Sequence, residues 1–342
     1  INSNQVKDII LSSMEKSPLK DQFKAYHFLF NKAYDLSSEE GLTRYKIFKK
    51  SLKLIKEVNA KGLGYTLGLN NFADMTQEEY LSYLSKPAPA PAAEKRFNNR
   101  ADYVNNFTIT DEQDSEEANP NWSQYLPNAQ NEGSCHASYA FSTIAAIQAN
   151  YYKSFSSSLD LSEQYAIDCI SGNDCTTGSS ATTIEFIKEN GIPLEADYSY
   201  ESGSSGKKGE CKSDVKKVDV IQSIEIAEGK HEFNRLIKKG VVKVSIDAKS
   251  ETFKLYKGGR VKLTECTEES HELIAYGTAK DGDQEVILLR NNFGSDWGDN
   301  GNITLEVDDS TMTCYVHDKF FFISPKEIVE PGPEPEPTPE NP

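Results

Sequence analysis

Asn131-Glu-Gly-Ser-Cys-His-Ala-Ser-Tyr-Ala-Phe-Ser142 decides how the rest of the chain is read. Asn131 to Ser134 are turn-forming residues, and from Ser138 to Tyr152 the chain is rich in Ala and apolar residues, so the stretch joins a loop to a buried helix. A residue on the first turn of such a helix faces unpaired backbone amides and the positive end of the helix dipole. Ser138 occupies that place, with Glu132 and His136 in the loop before it.

Downstream, Ser270-His271-Glu-Leu-Ile begins a strand. Arg290-Asn291-Asn-Phe-Gly-Ser-Asp-Trp-Gly-Asp-Asn-Gly301 follows another. Leu161-Ser-Glu-Gln opens a second helix. Val241–Asp247, Glu272–Gly277, Glu285–Arg290 and Asn302–Val307 are β-rich runs separated by turn residues. Helices followed by antiparallel strands predict an α+β domain over residues 119–325. Residues 1–85 read as mostly helical. Aromatic and apolar positions recur at helical spacing from Phe23 to Tyr34, and Leu42, Tyr45, Phe48, Leu52 and Ile55 make one stripe on a long helix ended by Gly62 and Gly64. Tyr65–Asn70 is a short strand candidate, and Thr76-x-x-Glu79 is a capping box. Residues 86–118, Pro/Ala-rich and then acidic, form an exposed linker in which Lys95-Arg96 is a candidate cut site. The tail 326–342, rich in Glu and Pro, is expected to be disordered.

The 342 residues carry 37 basic and 53 acidic side chains, a net charge of −16. That balance argues against nucleic acid as a partner, and no run of residues is apolar enough to span a membrane. Six cysteines fit three disulfides and an oxidising compartment, either secreted/extracellular or the endolysosomal lumen. Sequons at Asn106, Asn121 and Asn302 are glycosylation candidates. Ile1 stands where a leader has been removed or the chain truncated. His27, His231 and His317 share no metal-ligand spacing, so neither metal nor cofactor is expected.

The three segments around Ser138, His271 and Asn291, in this order and spacing, resemble the papain-like cysteine peptidases. The resemblance implies a two-lobed fold: a helical lobe, an antiparallel β-barrel-like lobe and a cleft between them. Phe253–Arg260 resembles the mite group 1 allergen-type branch. Residues 1–85 resemble the family's inhibitory propeptide. Glu40, Arg44, Phe48, Ile55 and Asn59 match its first motif, with Ser51 replacing the usual Asn; Gly68, Asn70, Phe72 and Asp74 match its second. The chain's own propeptide is thus an expected occupant of the cleft, beside a peptide or protein ligand.

Carried over residue by residue, the resemblance places Ser138 at the nucleophile, His271 at the base, Asn291 at the orienting amide and Glu132 at the oxyanion amide, normally Gln. Tyr139 and Phe293 replace tryptophans, while Trp297 keeps its place. His136 replaces a Gly, and Thr177 replaces a Gly of the substrate-binding strip, where it should obstruct the backbone of a bound chain. The implied disulfides are Cys135–Cys175, Cys169–Cys211 and Cys266–Cys314, leaving no thiol. Family chemistry needs a thiolate paired with an imidazolium and an oxyanion hole; an alcohol and a carboxyl oppose both needs. Three readings follow: a pseudopeptidase acting as a binding, competitor or structural protein; an active serine-type variant using Ser138, His271 and Asn291; or a zymogen with its Cys replaced by Ser, a reading the second change at Glu132 disfavours. An ion pair between Glu132 and His271 would hold the imidazole protonated.

Overall fold

The computed structural model describes residues 3–84, 86–87 and 119–328. Asn106, Lys95-Arg96, the acidic run of the linker and the tail beyond residue 328 lie outside them.

The N-terminal segment comprises α1 (Ser3–Ser13), α2 (Leu19–Leu29), α3 (Glu39–Asn59), strand β1 (Tyr65–Leu67) and α4 (Gln77–Tyr83). Ser38 caps α3 by accepting the Gly41 amide at 3.0 Å, and Glu39 and Glu40 favour the same helix end. The apolar stripe of α3 starts at Tyr45, later than the sequence pattern suggests: Leu42 is 56% exposed. α2 crosses α3 through Phe23, whose ring lies 5.3 Å from Tyr45 and 5.2 Å from Phe48, and Leu42 is beyond that crossing. α2 also stops short of Tyr34, at Leu29, because Asn31 turns into the left-handed region at φ +48°. The capping box of α4 forms, with both reciprocal bonds between Thr76 and Glu79.

The second unit begins with β2 (Lys86–Pro87), then α5 (Ser138–Phe155), α6 (Glu163–Asp168), β3 (Thr177–Gly178), α7 (Ser180–Asn190) and α8 (Ser202–Ser205). β4 (Ile221–Ala227), α9 (Lys230–Ile237), β5 (Val242–Ile246), α10 (Glu251–Lys254), β6 (Tyr256–Val261), β7 (His271–Asp281), β8 (Gln284–Arg290), β9 (Asn302–Glu306) and β10 (Phe320–Pro325) follow. One apolar core gathers around α5, which buries every residue from Ser138 to Ile144. A second core lies within the sheet, around Val244, Leu273, Leu289 and Trp297. The fold is therefore two-lobed and papain-like. The sheet runs β1-β6-β9-β8-β7-β5-β10-β4. It differs from the all-antiparallel expectation at β6 and β9, which pair in parallel through Arg260–Thr304 and Val261–Leu305. That pairing joins strands some forty residues apart, with no local turn signal to announce it. Order also extends past Pro325: Lys326 donates its amide to Val220 and Ile328 packs on the helical core.

β1 completes one edge of the sheet by pairing with β6, so the N-terminal segment is built into the β lobe. Its motif residues do the fastening. Asn59 exchanges two bonds with the Leu67 backbone, at 2.8 and 2.9 Å. Asn70 donates to the Lys254 carbonyl at 2.9 Å. Arg44 pairs with Glu79 at 2.6 Å and with Glu40 at 3.5 Å. Asp74 collects Lys32, Tyr26 and Tyr34. Ile55 packs beside Phe48 in the segment's own core, and Gly68 lies where a Cβ would press on the Lys257 side chain. Phe48 is fully buried among Phe23 and Tyr26. Phe48→Ala is expected to destabilise this unit by about 3–5 kcal/mol, read by chemical denaturation as an earlier transition of the N-terminal helices.

Candidate active site

The loop before α5 is held from both sides. Cys135 is bonded to Cys175, the His136 amide donates to the Cys175 carbonyl at 3.0 Å, and the Glu132 amide donates to the Asn292 carbonyl of the other lobe at 3.0 Å. Cys169–Cys211 and Cys266–Cys314 form as expected, so all six cysteines are consumed. Ser138, fully buried, is the first residue of α5.

His271 opens β7, and its Nε2 lies 2.6 Å from Asn291 Oδ1. The same Oδ1 accepts the Asn292 amide at 2.8 Å, which fixes the Asn291 side chain with its oxygen toward the ring. Nε2 therefore carries the proton, and Nδ1 carries the lone pair. Nδ1 is buried with no hydrogen-bond partner among the described residues. Phe293 covers the imidazole at 4.5 Å between ring centroids, and Trp297 packs behind it, its Nε1 donating to the Phe253 carbonyl at 3.0 Å. Burial pushes His271 down to about 4, against the opposing pull of the Asn291 bond and the Glu272 charge. The imidazole is neutral in this state.

Glu132 is buried beside Asn292, whose Nδ2 is 3.5 Å from its Oε2. Burial drives its carboxyl well above the usual range; the Ala137 amide pulls the other way, and the Glu272 charge adds to the rise. This corrects the expected ion pair. Among the described residues Glu132 makes no salt bridge with His271, and burial pushes the carboxyl up and the imidazole down, because a site closed to water penalises either charge.

The N-terminal segment closes the site. Phe72 lies 5.0 Å from Phe293, and the Tyr83 ring lies 4.3 Å from His136 and 5.5 Å from Phe293. Lys86–Pro87 pair in parallel with Thr177–Gly178. Thr177 thus does not obstruct an extended chain. Its amide is turned to Asp174 at 2.8 Å, and the close approach is made at Gly178, where a Cβ would come 2.1 Å from the Tyr139 ring. Of the sequons, Asn121 is exposed, whereas Asn302 is half-buried with its amide held by Arg290 and Asp299. Among the described residues no His, Cys, Asp or Glu group could hold a metal, and no helix is long and apolar enough to cross a membrane.

The two shifts impose opposite pH dependences. The Glu132 value is raised, so its contribution to stability is complete below its ordinary value of about 4.3 and is lost as pH rises. The His271 value is lowered, so its contribution is complete above about 6.5 and is lost as pH falls toward 4. Glu132→Gln should therefore raise the thermal midpoint of the full chain at pH 7 and leave it nearly unchanged at pH 4, measured by calorimetry at both.

Residues 114–323 match the family described as papain family cysteine protease, and residues 23–80 match the cathepsin propeptide inhibitor domain (I29). A thiol protease aleurain-like protein of Arabidopsis thaliana is 30% identical over 320 residues, 90% of this chain and 85% of that protein. Two solved structures share the fold: a recombinant stem bromelain precursor (TM-score 0.74, 23% identity, 90% of this chain and 99% of that one) and digestive procathepsin L 3 of Tenebrio molitor larval midgut (TM-score 0.71, 24% identity, 90% and 100%). The chain belongs to the papain family of cysteine proteases and carries the family's propeptide.

Proposed function

We propose that this chain is a pseudopeptidase: a papain-family protein that holds polypeptide in its interlobe cleft and does not cut it at the family's rate. The observation that carries the reading is the exhaustion of its cysteines. All six are in disulfides, and the residue opening α5 is Ser138. A cysteine in that place is made nucleophilic by losing its proton to the neighbouring imidazole, the helix end stabilising the thiolate. A serine hydroxyl has no comparable thiolate-like form and depends on proton removal during attack. Glu132 is the second lesion. Once the propeptide leaves and water enters, its carboxyl returns toward its ordinary ionised state and sets negative charge where an oxyanion would form. The first propeptide motif, the β1–β6 pairing and the β2–β3 pairing support a chain whose normal occupant is its own N-terminal segment. Three disulfides fit the extracellular space or the endolysosomal lumen.

One observation favours a serine-type reading as the second possibility: a neutral His271 with its lone pair on Nδ1 is the form in which a general base serves an alcohol. Activity separates the two. With the propeptide removed by proteolysis between residues 88 and 118, hydrolysis of casein and of fluorogenic peptides should be undetectable for the native sequence. Ser138→Cys should restore weak turnover, and Ser138→Cys with Glu132→Gln a further roughly 10²–10³-fold. Turnover by the native sequence that Ser138→Ala abolishes would establish the serine-type enzyme instead.

A further inference from the structure

Glu272 follows His271 at the start of β7, and its two carboxylate oxygens have different tasks. Oε1 accepts Lys243 Nζ at 2.8 Å, within the β lobe. Oε2 accepts the Ser180 hydroxyl, across the seam on the helical lobe. Ser180 opens α7, and its Oγ also lies 3.3 Å from the carbonyl of Tyr139, the residue after Ser138. Lys243 is on β5 with its side chain 1% exposed, and its ammonium sits 5.1 Å from the centre of the Phe321 ring on β10. A lysine buried this deeply is tolerated only with a partner. Holding one end of Glu272, it aims the other end outward. Glu269 lies near both members of this pair and is hydrogen-bonded to Asp318, and its carboxyl is pushed up to about 7, chiefly by burial.

We propose that Lys243, Glu272 and Ser180 form a tie across the interlobe seam, in which Glu272 and Ser180 are positioning residues that hold His271 against the opening turn of α5. The tie joins the residue after His271 to the residue after Ser138 through one carboxylate and one hydroxyl. It fixes the spacing of the two site positions whether or not the site cuts peptide bonds, so it stands apart from the loss of activity proposed above.

The test uses the full chain. In Ser180→Ala, the amides of Ala140 and Phe141, which bond the Ala137 carbonyl at 2.8 and 3.2 Å, should exchange with deuterium roughly tenfold faster. Ser180→Thr, which keeps the hydroxyl, should restore the native rate. The His271 imidazole, followed by NMR against pH, supplies a readout that loosened packing does not mimic. Glu272→Gln removes a negative neighbour and should lower its titration point, whereas Lys243→Met removes a positive one and should raise it. If either charge variant does not fold, the Ser180 pair decides alone. Unchanged exchange in Ser180→Ala, or shifts of the same sign in the two charge variants, overturns the tie.

Discussion

Water is kept out of the seam where the first turn of α5 meets the start of β7, and the state of every group there follows from that exclusion. Phe72, Tyr83 and Phe293 close the seam from above. Beneath them burial pushes the Glu132 carboxyl up and the His271 imidazole down. Among the described residues Lys243 and Glu272 set opposite charges near His271, 2.8 Å from one another. Burial thus disfavours the charged form of each group that lacks a partner of opposite charge: the acid holds its proton more tightly and the imidazole more loosely.

This changes what the Glu132 substitution means. Where it is buried, the carboxyl has nearly the shape of a glutamine amide, and the Asn292 side-chain nitrogen lies 3.5 Å from it. The role proposed above for Glu132 bears on the uncovered protein. That proposed for Ser138 does not depend on cover, because an alcohol lacks the acidity of a thiol.

Much of this architecture was legible in the sequence because it is written locally. The Thr76–Glu79 box, the stripe from Tyr45 to Val58 and the apolar run after Ser138 each announce an element through spacing alone. The site residues were legible through motif order, which carried the Asn291–His271 pair and the three disulfides to their places. What stayed hidden is non-local. The parallel β6–β9 pairing, the hydrogen bond from Ser180 to Glu272 and the burial that raises the Glu132 carboxyl depend on which segments cover one another, and no window of sequence contains that. The reading of Thr177 as an obstacle failed for a related reason: side-chain bulk was legible, but the turn of the Thr177 amide toward Asp174 was not.

The edge strand β1 has a consequence for the protein after its N-terminal segment is gone. Losing Tyr65–Leu67 bares the outer rim of β6, and a bare rim is a template for self-association. β6 is poorly suited to that fate: Gly258 and Gly259 interrupt it, Gly259 at φ +84°, Lys257 and Arg260 lie on it, and Lys262 follows its end. The same irregular border that accepts three residues of its own chain is a poor template for a foreign strand.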